Sequence, residues 1–149
     1  MFIKTWGEIQ ERLDPPFYLN MTMLDKEIVQ CAKYPLFTFK QKLNMQRGRF
    51  GHRPRNDPRY YGGKYPFIQT GNIVKASASN GEICYSQTLN ELGLSTSKLF
   101  NDKVLVITIA ANIGYTAILD YTACFPDSLV ALTIKGDDLS LEYLNIYIR

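Results

Sequence analysis

Val104-Leu105-Val106-Ile107-Thr108-Ile109 is the strongest strand signal in the chain. The run is branched and almost wholly apolar, without the polar alternation of a half-exposed strand. That pattern suits a strand buried on both faces. Asn112-Ile113-Gly114 turns the chain after it, and Tyr115-Thr116-Ala117-Ile118-Leu119 and Ser128-Leu129-Val130-Ala131-Leu132-Thr133-Ile134 read as further strands. Lys135-Gly136-Asp137-Asp138 reads as a turn ending in an N-cap, ahead of a helix over residues 139–148. In that helix Leu141, Leu144 and Ile148 mark one face, and Tyr143, Ile146 and Tyr147 another. A helix apolar nearly all round is expected to be covered. It reaches Arg149 with no glycine or asparagine cap, so the chain is expected to continue or the helix to meet a partner.

Toward the N-terminus, residues 90–97 are turn-rich, and Glu82-Ile83-Cys84-Tyr85 is a weaker strand candidate. Pro66-Phe67-Ile68-Gln69-Thr70 reads as a strand closed by Gly71-Asn72, and Leu36-Phe37-Thr38-Phe39 as a short strand. Two helices are predicted before these. The first starts at the capping box Thr5-Trp6-Gly7-Glu8, carries Trp6, Ile9 and Leu13 at helical spacing, and stops at Asp14-Pro15-Pro16. The second can be capped by Thr22 with Asp25, presents Leu24, Ile28, Cys31 and Ala32, and ends at Tyr34-Pro35.

The chain has 149 residues, 46% hydrophobic and 21% charged, which fits one ordinary domain. No apolar run approaches the ~20 residues of a membrane span, so no membrane association is expected. Residues 1–6 show no basic region followed by an apolar one, so no signal peptide is expected. Cys31, Cys84 and Cys124 lie far apart, which argues against a disulfide framework and for a reducing, cytoplasmic location. With no C-x-x-C and a lone His52 among arginines, neither a metal site nor a histidine-based triad is expected.

The net charge of +3 conceals an asymmetry. Residues 40–64 hold eight basic groups against Asp57, a balance of +7, while the other 124 residues carry nine basic and thirteen acidic groups, or −4. Arg47, Arg49, Arg53, Arg55, Arg59 and Lys64 alternate with Gly48, Gly51, Pro54, Pro58, Gly62 and Gly63. That breaks helical and strand periodicity alike and reads as a long loop, and such loops are usually functional or disordered. Phe50, Tyr60, Tyr61 and Tyr65 interleave the charges. Arginine forks match phosphate or guanine edges, and tyrosines offer stacking faces, so a nucleic-acid contact is favoured over a solvated loop, a membrane surface or an acidic protein partner.

Asp14-Pro15-Pro16-Phe17 matches the D-P-P-F tetrapeptide with which amino-group DNA methyltransferases hold a flipped base. The context differs, because an amphipathic helix precedes it where a buried parallel strand is required. It is read as a helix stop, with a methyltransferase fragment kept as an alternative.

Several stretches resemble a target recognition domain from the specificity subunit of type I restriction–modification systems. Arg12-Leu13-Asp14-Pro15 with Tyr18 is similar to the family's R-x-D-P…Y opening, and Tyr34-Pro35-Leu36 to its entry strand. Gly62-Gly63-Lys64-Tyr65-Pro66-Phe67-Ile68-Gln69-Thr70-Gly71-Asn72-Ile73 resembles G-G-x-x-P-x-I-x-x-x-D-I, with Asn72 in place of the acid and Lys64 where small or acidic residues are common. Asp102-Lys103-Val104-Leu105-Val106 resembles k-G-D-V-L, departing from its glycine-aspartate. Ala111-Asn112-Ile113-Gly114 is similar to the family's turn, and Ser128-Leu129-Val130-Ala131-Leu132 to its later strand.

The resemblance implies an α+β fold: a mixed, mostly antiparallel twisted sheet with flanking helices and a long basic loop. It implies one recognition domain over residues 1–149, with the helix from 139 leading toward a spacer. It implies a non-catalytic, cofactor-free reader of one half of a split double-stranded DNA site, beside methyltransferase (modification) and restriction subunits. A recognition domain of a single-chain restriction enzyme-methyltransferase, or a protein-interaction module, are the alternatives. The candidate DNA-binding residues are Arg47, Arg49, Arg53, Arg55, Arg59, Tyr60, Tyr61 and Lys64, with Gln69, Asn72 and Asn112 as amide readers and Lys75 and Lys98 as further phosphate contacts.

Overall fold

A computed structural model describes residues 27–28, 30–33, 35–51 and 56–149. The chain divides into two compact units, residues 1–38 and 39–149. In the first, Glu27, Ile28, Gln30 and Cys31 are helical, within the second predicted helix. The first predicted helix and Asp14-Pro15-Pro16-Phe17 lie outside the described residues, as do His52, Arg53 and Arg55.

The second unit is built around the apolar run at Val104–Thr108. Strand β5 (Val104–Thr108) pairs antiparallel with β6 (Thr116–Leu119) on one side and with β8 (Leu129–Ile134) on the other. Strand β1 (Leu43–Arg47) adds to β8, giving the order β1-β8-β5-β6. Side chains alternate across this sheet with the period of two that a pleated strand dictates. Val104, Val106, Ala117, Leu119, Leu129 and Ala131 face one core, which they share with Ile68, Ile73, Phe100 and Phe125. Leu105, Leu132 and Leu43 face a second core, closed by Leu144. An apolar run without alternation is therefore what two covered faces require, and antiparallel neighbours satisfy it as well as parallel ones.

Helix α2 (Thr70–Ser79) supplies Ile73 and Ala76 to the first core, and α4 (Leu141–Ile148) supplies Leu144 to the second. A second four-stranded sheet has the order β3 (Gln87–Leu89), β2 (Tyr61–Phe67), β7 (Ala123–Cys124), β4 (Leu99–Phe100). It is antiparallel except where β2 meets β7 through Phe67 and Cys124. Phe50, Phe67, Leu89 and Cys124 form its own buried cluster. The architecture is mixed α+β with mostly antiparallel pairing, as expected, but divided between two sheets rather than one. No helix among the described residues is long and apolar enough to cross a membrane.

Several local expectations are corrected. No strand covers Leu36-Phe37-Thr38-Phe39; Phe39 opens a short helix, α1 (Phe39–Lys42), which leads into β1. Strand β1 escapes pattern reading because it is an edge strand in which only Leu43 is buried. Gly71-Asn72 does not turn the chain but lies in the first turn of α2. That helix is rich in serine, glycine and β-branched residues and has low intrinsic propensity. Packing of Ile73 and Ala76 and a left-handed C-cap at Asn80 (φ 51°) hold it instead. Glu82-Ile83-Cys84-Tyr85 is irregular, and the strand lies further on at β3. Residues 90–97 contain α3 (Glu91–Ser95), capped by Asn90, whose side chain accepts from Gly93 N at 3.0 Å. The last helix is capped by Ser140, not Asp138, and the Asp138 carboxylate bonds Lys42 Nζ. The described parts of the basic segment hold regular structure that a loop reading does not foresee: Arg47 ends β1, Phe50 bridges to Ser97, Pro58–Tyr60 form a 3-10 turn, and β2 follows.

Gly48 shows why the segment after β1 must lie where it does. Its N–H donates to Leu129 O at 2.9 Å, and a Cβ there would stand 2.3 Å from Pro126 O and 2.5 Å from the Phe125 ring. Gly48→Ala must push the strand end away from that backbone, and urea unfolding is expected to show a loss of about 1–3 kcal/mol. Leu144 is 1% exposed and closes the second core. Leu144→Ala is expected to cost about 2–5 kcal/mol and to raise amide exchange in α4 before the sheet, since the two cores lie on opposite faces.

Candidate nucleic-acid interface

The register of the first sheet gathers several predicted residues at one end. Arg47 stands opposite Val130, Val130 opposite Ile107, and Ile107 opposite Thr116. The C-terminal ends of β1 and β5 therefore lie beside the N-terminal ends of β6 and β8. Arg47 ends β1, and Ser128, Ile109, Asn112 and Tyr115 lie in the connections that flank the other strand ends. Ile109 N donates to Ser128 O at 2.9 Å, and Arg47 Nε to Asp127 O at 2.5 Å. Arg49 is exposed, and its backbone is fixed by N–H donation to Phe125 O at 3.0 Å and by Ser97 Oγ donating to its carbonyl at 2.7 Å.

The β5–β6 turn is braced from within. Thr108, fully buried, donates from Oγ1 to Asn112 O and accepts there from Tyr115 N at 3.0 Å. Gly114 N donates to Thr108 O at 2.9 Å, and Ala111 takes a left-handed φ of 62°. One buried hydroxyl thus fixes a tip on which Asn112 is exposed and Ile113 is 73% exposed.

Ser128 also reaches a groove of about 620 Å³ that opens beside this end. Phe50, Tyr61 and Phe67 form its aromatic side, with ring centroids 4.9–6.1 Å apart. Gln69, Thr70 and Gln87 line its polar side. Thr70 Oγ1 lies 3.2 Å from Ser128 Oγ, tying the start of α2 to the loop before β8. Gln69 Nε2 donates to Gln87 Oε1. Thr70, Gln87 and Ser128 are not among the residues that sequence reasoning selected. A polar residue on a three-residue strand carries no pattern of its own.

The remaining candidates are distributed unevenly. Arg59 bonds Asp57 at 2.7 Å, and Lys64 bonds Glu91 at 3.0 Å, with Tyr65 OH also donating to Glu91 at 3.0 Å. Hydrogen bonding and charge from Asp57 raise the Arg59 pKa, and the hydrogen bond from Lys64 holds the Glu91 carboxyl below its ordinary range. The two cationic side chains are nonetheless 73% and 72% exposed, and solvent-exposed pairs contribute little stability. Part of the basic segment is thus balanced by its own domain's carboxylates, yet remains accessible. Lys98 follows Ser97 and lies over the Phe100 ring at 5.4 Å. Lys75 is exposed on α2 and is not part of the groove's lining. Tyr60 is half-buried, and its carbonyl accepts from Asn90 N at 3.1 Å. Asn72 has both ends of its amide engaged: Oδ1 accepts from Gln69 N at 2.8 Å and Nδ2 donates to Cys84 O at 2.7 Å. Among the described residues no cluster of three or more His, Cys, Asp or Glu could hold a metal ion.

No protein-family model and no curated protein matches this chain. Solved structures do. The crystal structure of the HsdS subunit from Thermoanaerobacter tengcongensis matches at 15% identity over 88% of this chain and 33% of its own, with a TM-score of 0.47. A chain solved in a study of complex assembly and conformational transition of the type I R-M system matches at 17% identity over 89% of this chain and 35% of its own, with a TM-score of 0.50. The chain thus spans about a third of the length of the structures it matches. Its fold is one shared with a component of a type I restriction–modification assembly.

Proposed function

We propose that this chain reads double-stranded DNA as a target recognition domain of a type I specificity subunit. The observation that carries this reading is the convergence at one sheet end of Arg47, Arg49, Asn112 and a groove with aromatic and amide walls. Guanidinium groups there meet phosphates and fix register, while amides meet base edges, the division of labour general to protein–DNA contacts. Arg53 and Arg55 extend the same basic segment, and Arg59, Tyr60, Tyr61, Lys64, Lys75 and Lys98 stand as further contacts. Asn72 takes a supporting part, because its amide holds the entry to α2.

The fold shared with a component of the type I assembly supports the reading. In this reading the chain performs no reaction. A methyltransferase (modification) subunit and a restriction subunit modify and cut the DNA that it selects, in the cytoplasm.

Titration of the full chain with duplex DNA at several salt concentrations tests the reading. If about six phosphates are neutralised, log K falls against log salt with a slope of roughly −5. Arg47→Ala and Arg49→Ala are each expected to make that slope shallower by about 1, with base preference retained. A slope near zero, or equal affinity for selected and random duplexes at fixed salt, would falsify the proposal.

A further inference from the structure

We infer that Gln87 is a base-reading residue that selects adenine, and that Gln69 is the positioning residue that orients it; the inference rests on the DNA-reading proposal above. Gln87 is exposed on β3, an edge strand, where its backbone pairs with Phe67. Gln69 caps α2, with its N–H held by Asn72 Oδ1 at 2.8 Å, and its neighbour Ile68 donates to Cys124 O at 2.8 Å. The Asn72 N–H bonds the main-chain carbonyl of Gln69 at 3.0 Å, and Gln69 Nε2 bonds Gln87 Oε1. Both amides line the same groove, mounted on regular backbone rather than on a loose loop.

The chemistry follows from the bond between them. A glutamine amide is nearly symmetric in shape, so a lone glutamine can present either edge to a base. In the structure Gln69 Nε2 donates to Gln87 Oε1, which turns the Gln87 oxygen toward Gln69 and its Nε2 away from it. The second lone pair of that oxygen and the Nε2 hydrogens remain for a ligand. An acceptor beside a donor matches adenine in the major groove, which presents the N6 donor beside the N7 acceptor. Guanine presents two acceptors, N7 and O6, and meets the Gln87 oxygen with repulsion. Gln87 Nε2 therefore donates to N7, and adenine N6 donates to Gln87 Oε1.

Duplexes selected from a random pool by the full chain provide the test. Wild-type protein is expected to show one position where adenine is preferred, and 7-deazaadenine there, which lacks the N7 acceptor, weakens binding about tenfold. Gln87→Ala abolishes that preference and its sensitivity to 7-deazaadenine while keeping the slope against salt. Gln87→Glu, an acceptor only, moves the preference to cytosine, whose N4 is a donor. Gln69→Ala reduces adenine-over-guanine discrimination at the same position with the salt slope intact, which a loss of fold would not do. Unchanged preferences in the Gln87 variants, beside salt-dependent selective binding, overturn this inference and leave DNA reading standing. Absence of any salt-dependent selective binding by the wild type overturns both.

Discussion

The requirement that β5 be covered on both faces organises everything else in the second unit. A strand whose residues are apolar at both odd and even positions cannot face water on either side. Each fully buried branched side chain contributes about 1.5–3 kcal/mol relative to exposure, so neither face can be left open. One face is met by α2, by Phe100 of the second sheet and by Phe125 just after β7, the other by α4. With both faces of β5 occupied, its ends and the connections that lead from them are the parts of this strand that can approach a ligand. The location of the candidate interface is thus a consequence of core packing rather than a separate invention.

Parts of this were legible in the residues alone. The runs that became β5, β6 and β8 carried enough aliphatic content to be placed within a residue or two, and the acidic body with one basic segment stood out by charge. What escaped were elements held by tertiary contact. Strand β1 buries only Leu43 and exists because its backbone pairs with β8. Helix α2 has poor propensity and survives on two buried residues and its caps. A sequence reading weighs local signals, and these segments have almost none.

The same limit applies to the site. Arginines announce themselves by charge, so Arg47 and Arg49 stood out as candidates, whereas the pairing of the Gln87 and Gln69 amides, eighteen residues apart, exists only in the fold. Asn72 illustrates the opposite error. Its amide chemistry suits base reading, but the fold uses both of its ends at the start of α2. The count of amides in a sequence overstates the number free to act, because caps and turns compete for them.

The Thr108 hydroxyl separates two kinds of residue on one hairpin. Thr108 is sealed in the core and holds the backbone of its turn, while Asn112 and Ile113 project into solvent with little burial to lose. Exchanges at the projecting positions carry a small thermodynamic burden, since surface substitutions away from caps and cores change stability by only about half a kcal/mol. The tip can therefore change its chemistry while the brace stays put, without the scaffold being rebuilt.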